Sequence, residues 1–380
     1  MTLTGATGFL GSHLMVSLLK DGFRIIVLGR SKKEETLQNR IFRLLLWFGI
    51  KDSADQLEFV ETDFLKPMLG LSAEDYKRLC TSTEQIIHCA SDTSFTERKR
   101  DIVFKSNVKS LESILEFAKN ANADYFHYIS TAYVAGANVT VCKECISSPT
   151  DFLNIYEESK ASAEKIIAAF CKENSLPFTI IRPSIVYGDS RTGRSLRFIA
   201  LYFPIQSVTY IRDIYLNDIK NNNGKKSEKF GIYLDEEDYL FLPLRIYLPK
   251  AGALNIIPVD YFVNATVRII TNATPGGIYH LTNNFHTKLE DIAEYNERLM
   301  KIKGVEIIYG RPADNILRNP VEELFDRFIE PYRQYLSDSR VFERVNTDLA
   351  TDNLYPPEFT YDIFKNCMEY AISMNWGDAI

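Results

Sequence analysis

The chain has 380 residues, 46% hydrophobic and 25% charged, which supplies a large core and excludes a disordered chain. A net charge of −6 argues against broad electrostatic binding to nucleic acid or an anionic membrane. Six cysteines make no disulfide framework, early apolar runs such as Ile25–Leu28 fall far short of the ~20 residues of a membrane span, and no basic start precedes an apolar segment, so a cytoplasmic protein is expected.

In chain order, Met1-Thr2-Leu3 leaves room for only a very short first strand before a glycine loop. That reads as a truncated start or a piece of a longer protein. Strands are predicted at Arg24–Leu28, Leu57–Glu61, Gln85–Cys89, Tyr125–Ser130 and Phe178–Arg182. Helices are predicted between them at Ser12–Lys20, Glu34–Phe48, Ala73–Arg78, Asn107–Lys119 and Tyr156–Lys172. Such alternation implies parallel strands with helices on both faces, a Rossmann-type doubly wound α/β sheet. After Gly193 the rhythm breaks. The segment 195–249 is rich in aromatic residues and contains a polar patch, Asn221 to Lys226, expected at the surface. A strand at Ile278–Thr282 and helices near Leu289–Lys301, Val321–Tyr335 and Tyr361–Met374 follow. Residues 1–190 are therefore expected to form the cofactor domain. Residues 191–380 would form mainly a smaller, partly helical substrate cap, with some segments returning to the sheet.

Gly5, Gly8 and Gly11 form a G-x-x-G-x-x-G turn that leads into a helix. Glycine there permits a tight turn and close approach to a pyrophosphate, which the helix N-terminus favours. The next strand ends at Arg30, with Lys32, Lys33 and Arg40 nearby, where an NAD site usually carries an acid for the ribose hydroxyl. Cations there suit a 2′-phosphate, so NADP(H) is the expected cofactor. Tyr156 and Lys160 have the spacing Tyr-x-x-x-Lys on a helical pattern, which puts both on one face. A neighbouring ammonium, together with an oxidised nicotinamide, lowers a phenol's pKa, so the pair can exchange a proton with a carbonyl oxygen. Ser130 and Thr131 close a predicted strand where ligands bind, and one of the two is expected to be only a turn cap.

Together these motifs resemble an extended short-chain dehydrogenase/reductase, of the thioester reductase group. That group includes terminal reductase domains of peptide synthetases, carboxylic acid reductase termini and fatty acyl-CoA reductases. Further residues carry the likeness: Thr62-Asp63-Phe64, Pro67 to Leu71, His88-Cys89-Ala90-Ser91, Ser130 to Val134, Arg182-Pro183-Ser184, Gly188 to Gly193 and Ile257 to Tyr261. The resemblance implies that Thr131, Tyr156 and Lys160 are catalytic. It implies a cofactor site of Gly5, Thr7, Gly8, Phe9, Leu10, Gly11, Arg30, Arg40, Asp63, Phe64, Ala90, Ser91, Pro183, Ser184 and Ile185. Ser91 stands where the group usually shows a second alanine.

Other features carry less. Cys142 and Cys145 have metal-site spacing without a second pair, so no metal is expected. Cys89 reads as core, His13 as packed on the sheet, and Asn107 as a helix N-cap rather than a proton relay. The expected activity is NADPH-dependent reduction of an acyl thioester, a CoA ester or one presented by a phosphopantetheinylated carrier protein, to an aldehyde and, with a second hydride, an alcohol. One alternative is a free-standing reductase or epimerase acting on a sugar nucleotide or hydroxy compound. Another is a non-catalytic NADP-binding regulatory protein, against which the intact Thr131, Tyr156 and Lys160 speak.

Overall fold

The computed structural model describes residues 1–32, 34–51, 54–310 and 317–377; Lys33 lies outside them. The β-rich runs become parallel strands: β1 Thr2–Thr4, β2 Ile25–Gly29, β3 Leu57–Glu61, β4 Gln85–His88, β5 Tyr125–Ile129, β6 Phe178–Pro183 and β7 Gly277–Leu281. Their order is β7-β6-β5-β4-β1-β2-β3, with every pairing parallel. Strand order reverses on either side of β1, which opens a crevice at the C-terminal strand ends.

Adjacent residues on these strands point to opposite faces, and both faces are covered. Val27, Ile87, Ile129 and Ile181 pack with Leu14, Ile41 and Phe262 from the helices Phe9–Lys20, Leu37–Trp47 and Val259–Thr271. Their neighbours Ile26, Ile86, Tyr128 and Ile180 pack with Leu79, Ile114 and Ile167 from the helices Ala73–Ser82, Leu111–Asn120 and Ile155–Glu173. Burial on both sides explains why these strands read as unbroken apolar runs. The His13 ring stands edge-on to Phe9, Trp47 and Phe48, in an aromatic cluster beside the glycine loop.

A separate apolar cluster lies in the second half of the chain. The helices Tyr202–Asn221, Leu289–Met300, Pro320–Ile329 and Tyr361–Ser373 contribute to it. So does a small sheet the sequence reading did not foresee, in which Leu240–Leu248 runs parallel to Ile302–Tyr309 and antiparallel to Tyr233–Leu234. Leu240, Leu242 and Leu244 alternate inward there, a period obscured by the aromatic and proline residues between them. Asn221, Asn222 and Asn223 are exposed, as are Lys225 and Lys226, which open a short helix at Lys225–Lys229. No helix among the described residues is long and apolar enough to cross a membrane.

Candidate active site

β1 turns into the helix Phe9–Lys20 through the glycine loop. Gly5 has φ +75°, and a Cβ on it would stand 2.6 Å from the Ala90 amide nitrogen. A Cβ on Gly11 would stand 2.2 Å from the Gly5 carbonyl oxygen. Only glycine permits this closeness. Thr4 fixes the turn against β4, because its Oγ1 accepts from the Cys89 and Ala90 amides, both at 3.2 Å. Gly5, Gly8, Phe9, Leu10 and Gly11 line a cavity of about 420 Å³ that residues of the second half of the chain, such as Val208 and Leu289, also line. The helix N-terminus there offers unpaired N–H groups and a positive dipole end.

Gly8 and Phe9 also border a second cavity, which Thr7 lines with Lys32, Arg40, Arg43 and Arg197. Glu35 pairs with Arg43 at 3.1 Å on its wall. Burial, together with the charges of Arg43, Arg30 and Arg197, lowers the pKa of Arg40 although Glu35 opposes them. Several cations thus face one another, an arrangement that an anion relieves. Arg30 itself is exposed and lines neither cavity; its carbonyl accepts from Arg40 Nη1 at 3.0 Å. Asp63 and Phe64 also lie outside both linings. The Asp63 carboxylate instead accepts from the Leu65 amide and pairs with Lys66. Ala90 sits behind Gly5, whereas Ser91, Pro183, Ser184 and Ile185 line the first cavity. Sequence reasoning missed Arg43 and Arg197. Arg43 lies one helical turn from Arg40 and was open to notice, but nothing local placed Arg197 there.

A dinucleotide fits these walls: a turn too tight for side chains, a helix N-terminus, a cation-lined end, and a buried Ser184 hydroxyl with no hydrogen-bond partner among the described residues.

The helix Ile155–Glu173 begins where the Asn154 side chain accepts from the Glu157 amide at 3.1 Å. It carries Tyr156 and Lys160 into the first cavity, which Ser130 and Thr131 also line. Lys160 is 2% exposed, donates from Nζ to the Ile129 carbonyl at 2.6 Å and lies 4.2 Å over the Tyr128 ring. Burial brings its pKa down to about 8. Without the nicotinamide that the expected lowering includes, the Tyr156 phenol is raised by burial, then by Cys89 and Glu157. Lys160 is not among the groups that shift it; its ammonium donates to the Ile129 carbonyl.

The two hydroxyls at the end of β5 are held differently. Ser130 donates to Glu164 Oε1 at 2.5 Å, and Glu164 holds buried Arg182 at 2.9 and 2.6 Å. Thr131 is the capping residue, its Oγ1 accepting weakly from the Tyr133 amide at 3.4 Å. Asn107 is no N-cap. It lies in a π-helical turn, Lys105–Lys109, donates to Ser159 Oγ at 3.0 Å and accepts from the Asp92 amide at 2.7 Å. Cys89 is half-buried and lines the cavity, so it is not wholly core. Cys142 is buried and Cys145 exposed, and no cluster of potential metal ligands occurs among the described residues.

Residues 3–266 match the family model described as "Male sterility protein". The chain is 30% identical over 186 residues to trichosetin synthetase PKS-NRPS1 of Gibberella fujikuroi, covering 48% of this chain and 4% of that protein. It is 34% identical over 141 residues to fatty acyl-CoA reductase 1 of Mus musculus, covering 34% of this chain and 27% of that one. The chain therefore spans under a third of either relative. Among solved structures, it resembles the terminal R domain from the myxalamid PKS-NRPS biosynthetic pathway, with a TM-score of 0.77, 22% identity, and coverage of 100% of this chain and 91% of the other.

Proposed function

Since the chain belongs to the male sterility protein family, whose fold is that of an extended short-chain dehydrogenase/reductase, and is an NAD(P)-dependent oxidoreductase, we propose that it reduces an acyl thioester with hydride from NADPH. The observation that carries the reading is a single cavity lined by the glycine turn, by Tyr156 and Lys160, and by aliphatic cap residues such as Val208, Leu248 and Leu289. We take residues 1–190 as chiefly the cofactor half and 191–380 as the cap.

When bound, the cofactor supplies hydride to the thioester carbonyl carbon. Tyr156 gives its phenolic proton to the carbonyl oxygen, with the Thr131 hydroxyl donating a hydrogen bond to the same atom. Tyr156 is suited to hold that proton beforehand because burial keeps the phenol neutral. Lys160 returns a proton to the phenolate and orients the ribose; its pKa near 8 keeps the protonated form available at neutral pH. The thiohemiacetal then loses thiol by cleavage of its C–S bond, leaving an aldehyde, and a second hydride would give the alcohol. CoA esters and carrier-bound acyl groups present the same pantetheine arm, so both classes fit. A sugar nucleotide fits less well, because the cap-side wall is largely aliphatic and Arg197 is its one cationic residue among the described residues that line the cavity.

The test is NADPH consumption with acyl-CoAs, carrier-bound acyl groups and sugar nucleotides. Turnover confined to sugar nucleotides, or absent throughout, sinks the proposal. For the cofactor, Arg40→Ala should cost about 1.5–3 kcal/mol of NADPH affinity and leave NADH unaffected. Arg30→Ala should do less, because Arg30 stands off the cavity. Equal NADPH and NADH affinities in the unaltered protein would show that the cations do not read a 2′-phosphate.

A further inference from the structure

Two residues that hold a buried side-chain polar atom without a hydrogen-bond partner among the described residues line the first cavity. Ser184 Oγ lies at the sheet end, beside the residues proposed to flank the nicotinamide. Asn296 Oδ1 lies on the cap. Asn296 is on the helix Leu289–Met300, on the face it shares with Ile292 and Ala293, and all three line the cavity. The residue is only 6% exposed. Around it the cap wall is apolar, with Leu254, Leu289 and Phe325 buried and also lining the cavity.

A buried amide oxygen without a donor is held at a cost that a donor reaching it removes. A leucine of nearly the same volume would fill the position without that cost. We infer that the cap chamber takes an apolar acyl chain bearing a hydrogen-bond donor, a hydroxyl or an amide N–H, and that Asn296 is the specificity-determining residue that accepts from it. The inference rests on the thioester reductase reading, which places the reacting end of the chain at Tyr156. A buried water would satisfy the same oxygen, and in that case a plain chain would be accepted at least as well.

The experiment uses acyl-CoAs of one chain length: a plain chain, chains with a hydroxyl at successive positions, and chains interrupted by an amide. kcat/KM is read from NADPH consumption. Kd is read for the matching primary alcohols on the cofactor-free protein, which requires no turnover. One donor position should improve both quantities about tenfold or more over the plain chain. Asn296→Leu should erase that preference and improve use of the plain chain. A flat series in the unaltered protein overturns the inference, as does a preference that survives Asn296→Leu. Should that variant fail to fold, the unaltered protein's series decides alone. A Kd preference that Asn296→Leu removes, alongside no turnover of any thioester, would sink the reductase reading while leaving the role of Asn296 standing.

Discussion

On the sheet side of the cavity the polar lining groups are hydroxyls, a phenol and an ammonium, and neighbours hold three of them: Ser130 by Glu164, Thr131 by the Tyr133 amide, Lys160 by the Ile129 carbonyl. On the cap side the lining is largely aliphatic and comes from the helices Tyr202–Asn221, Leu289–Met300 and Pro320–Ile329 and from the paired strands Leu240–Leu248 and Ile302–Tyr309. Hydrogen bonds are directional, so the first region can fix a reacting carbonyl closely. Packing is not directional and tolerates exchange of similar volumes. On the proposed function, the contrast divides chemistry from selectivity. Changes to the sheet side should act on turnover or stability, and changes to the cap side on which chain is accepted.

The largest effect expected from that division is at Tyr156. Tyr156→Phe keeps the ring and removes the proton, so turnover should fall about 10²–10⁴-fold. Thermal stability and NADPH affinity should stay put, as a melting curve and a titration would show. Near-normal rates in this variant would move the chemistry elsewhere.

Next in size is the support beneath Ser130. Arg182 and Glu164 are 1% and 3% exposed in their side chains. Glu164→Leu leaves the guanidinium buried without its carboxylate, a loss of about 3–5 kcal/mol in urea unfolding. A loss below 1 kcal/mol would mean that the carbonyls of Lys143 and Cys145, which also accept from Arg182, suffice for it.

Acid separates the two regions more gently. His13, His88, His127 and His280 belong to the sheet side, and burial lowers His13 to about 4 and the other three to about 3. Between pH 6.5 and those values the unfolded chain binds more protons than the folded one, so stability falls as pH drops through that window. His127 alone should account for about 2 kcal/mol between pH 6.5 and 5. The cap side has half-buried His286, so hydrogen exchange in acid should rise first in the sheet. His127→Gln should flatten the pH dependence of the urea midpoint; an unchanged slope would assign it to other groups.

The smallest effect sharpens the cap side. Ile292→Trp should fill part of the chamber and raise KM for long acyl chains about tenfold, leaving kcat and short chains unchanged. A fall in kcat for short chains as well would show that the two sides are coupled.

By itself the sequence determined the doubly wound sheet, the glycine turn and the Tyr156–Lys160 pair, because each is written in residues close along the chain. Unbroken apolar runs specify strands covered on both faces, and a four-residue spacing specifies one helix face. The tertiary structure alone decided which hydroxyl at the end of β5 is a cap, that Arg197 joins Arg40 and Arg43, and that Arg30, Asp63 and Phe64 stand beside the cavities. It also decided the direction of the Tyr156 shift, the small sheet of the cap, and the unpartnered oxygen of Asn296. These outcomes depend on desolvation and on partners brought from far along the chain, and neither quantity exists until the core has closed around them.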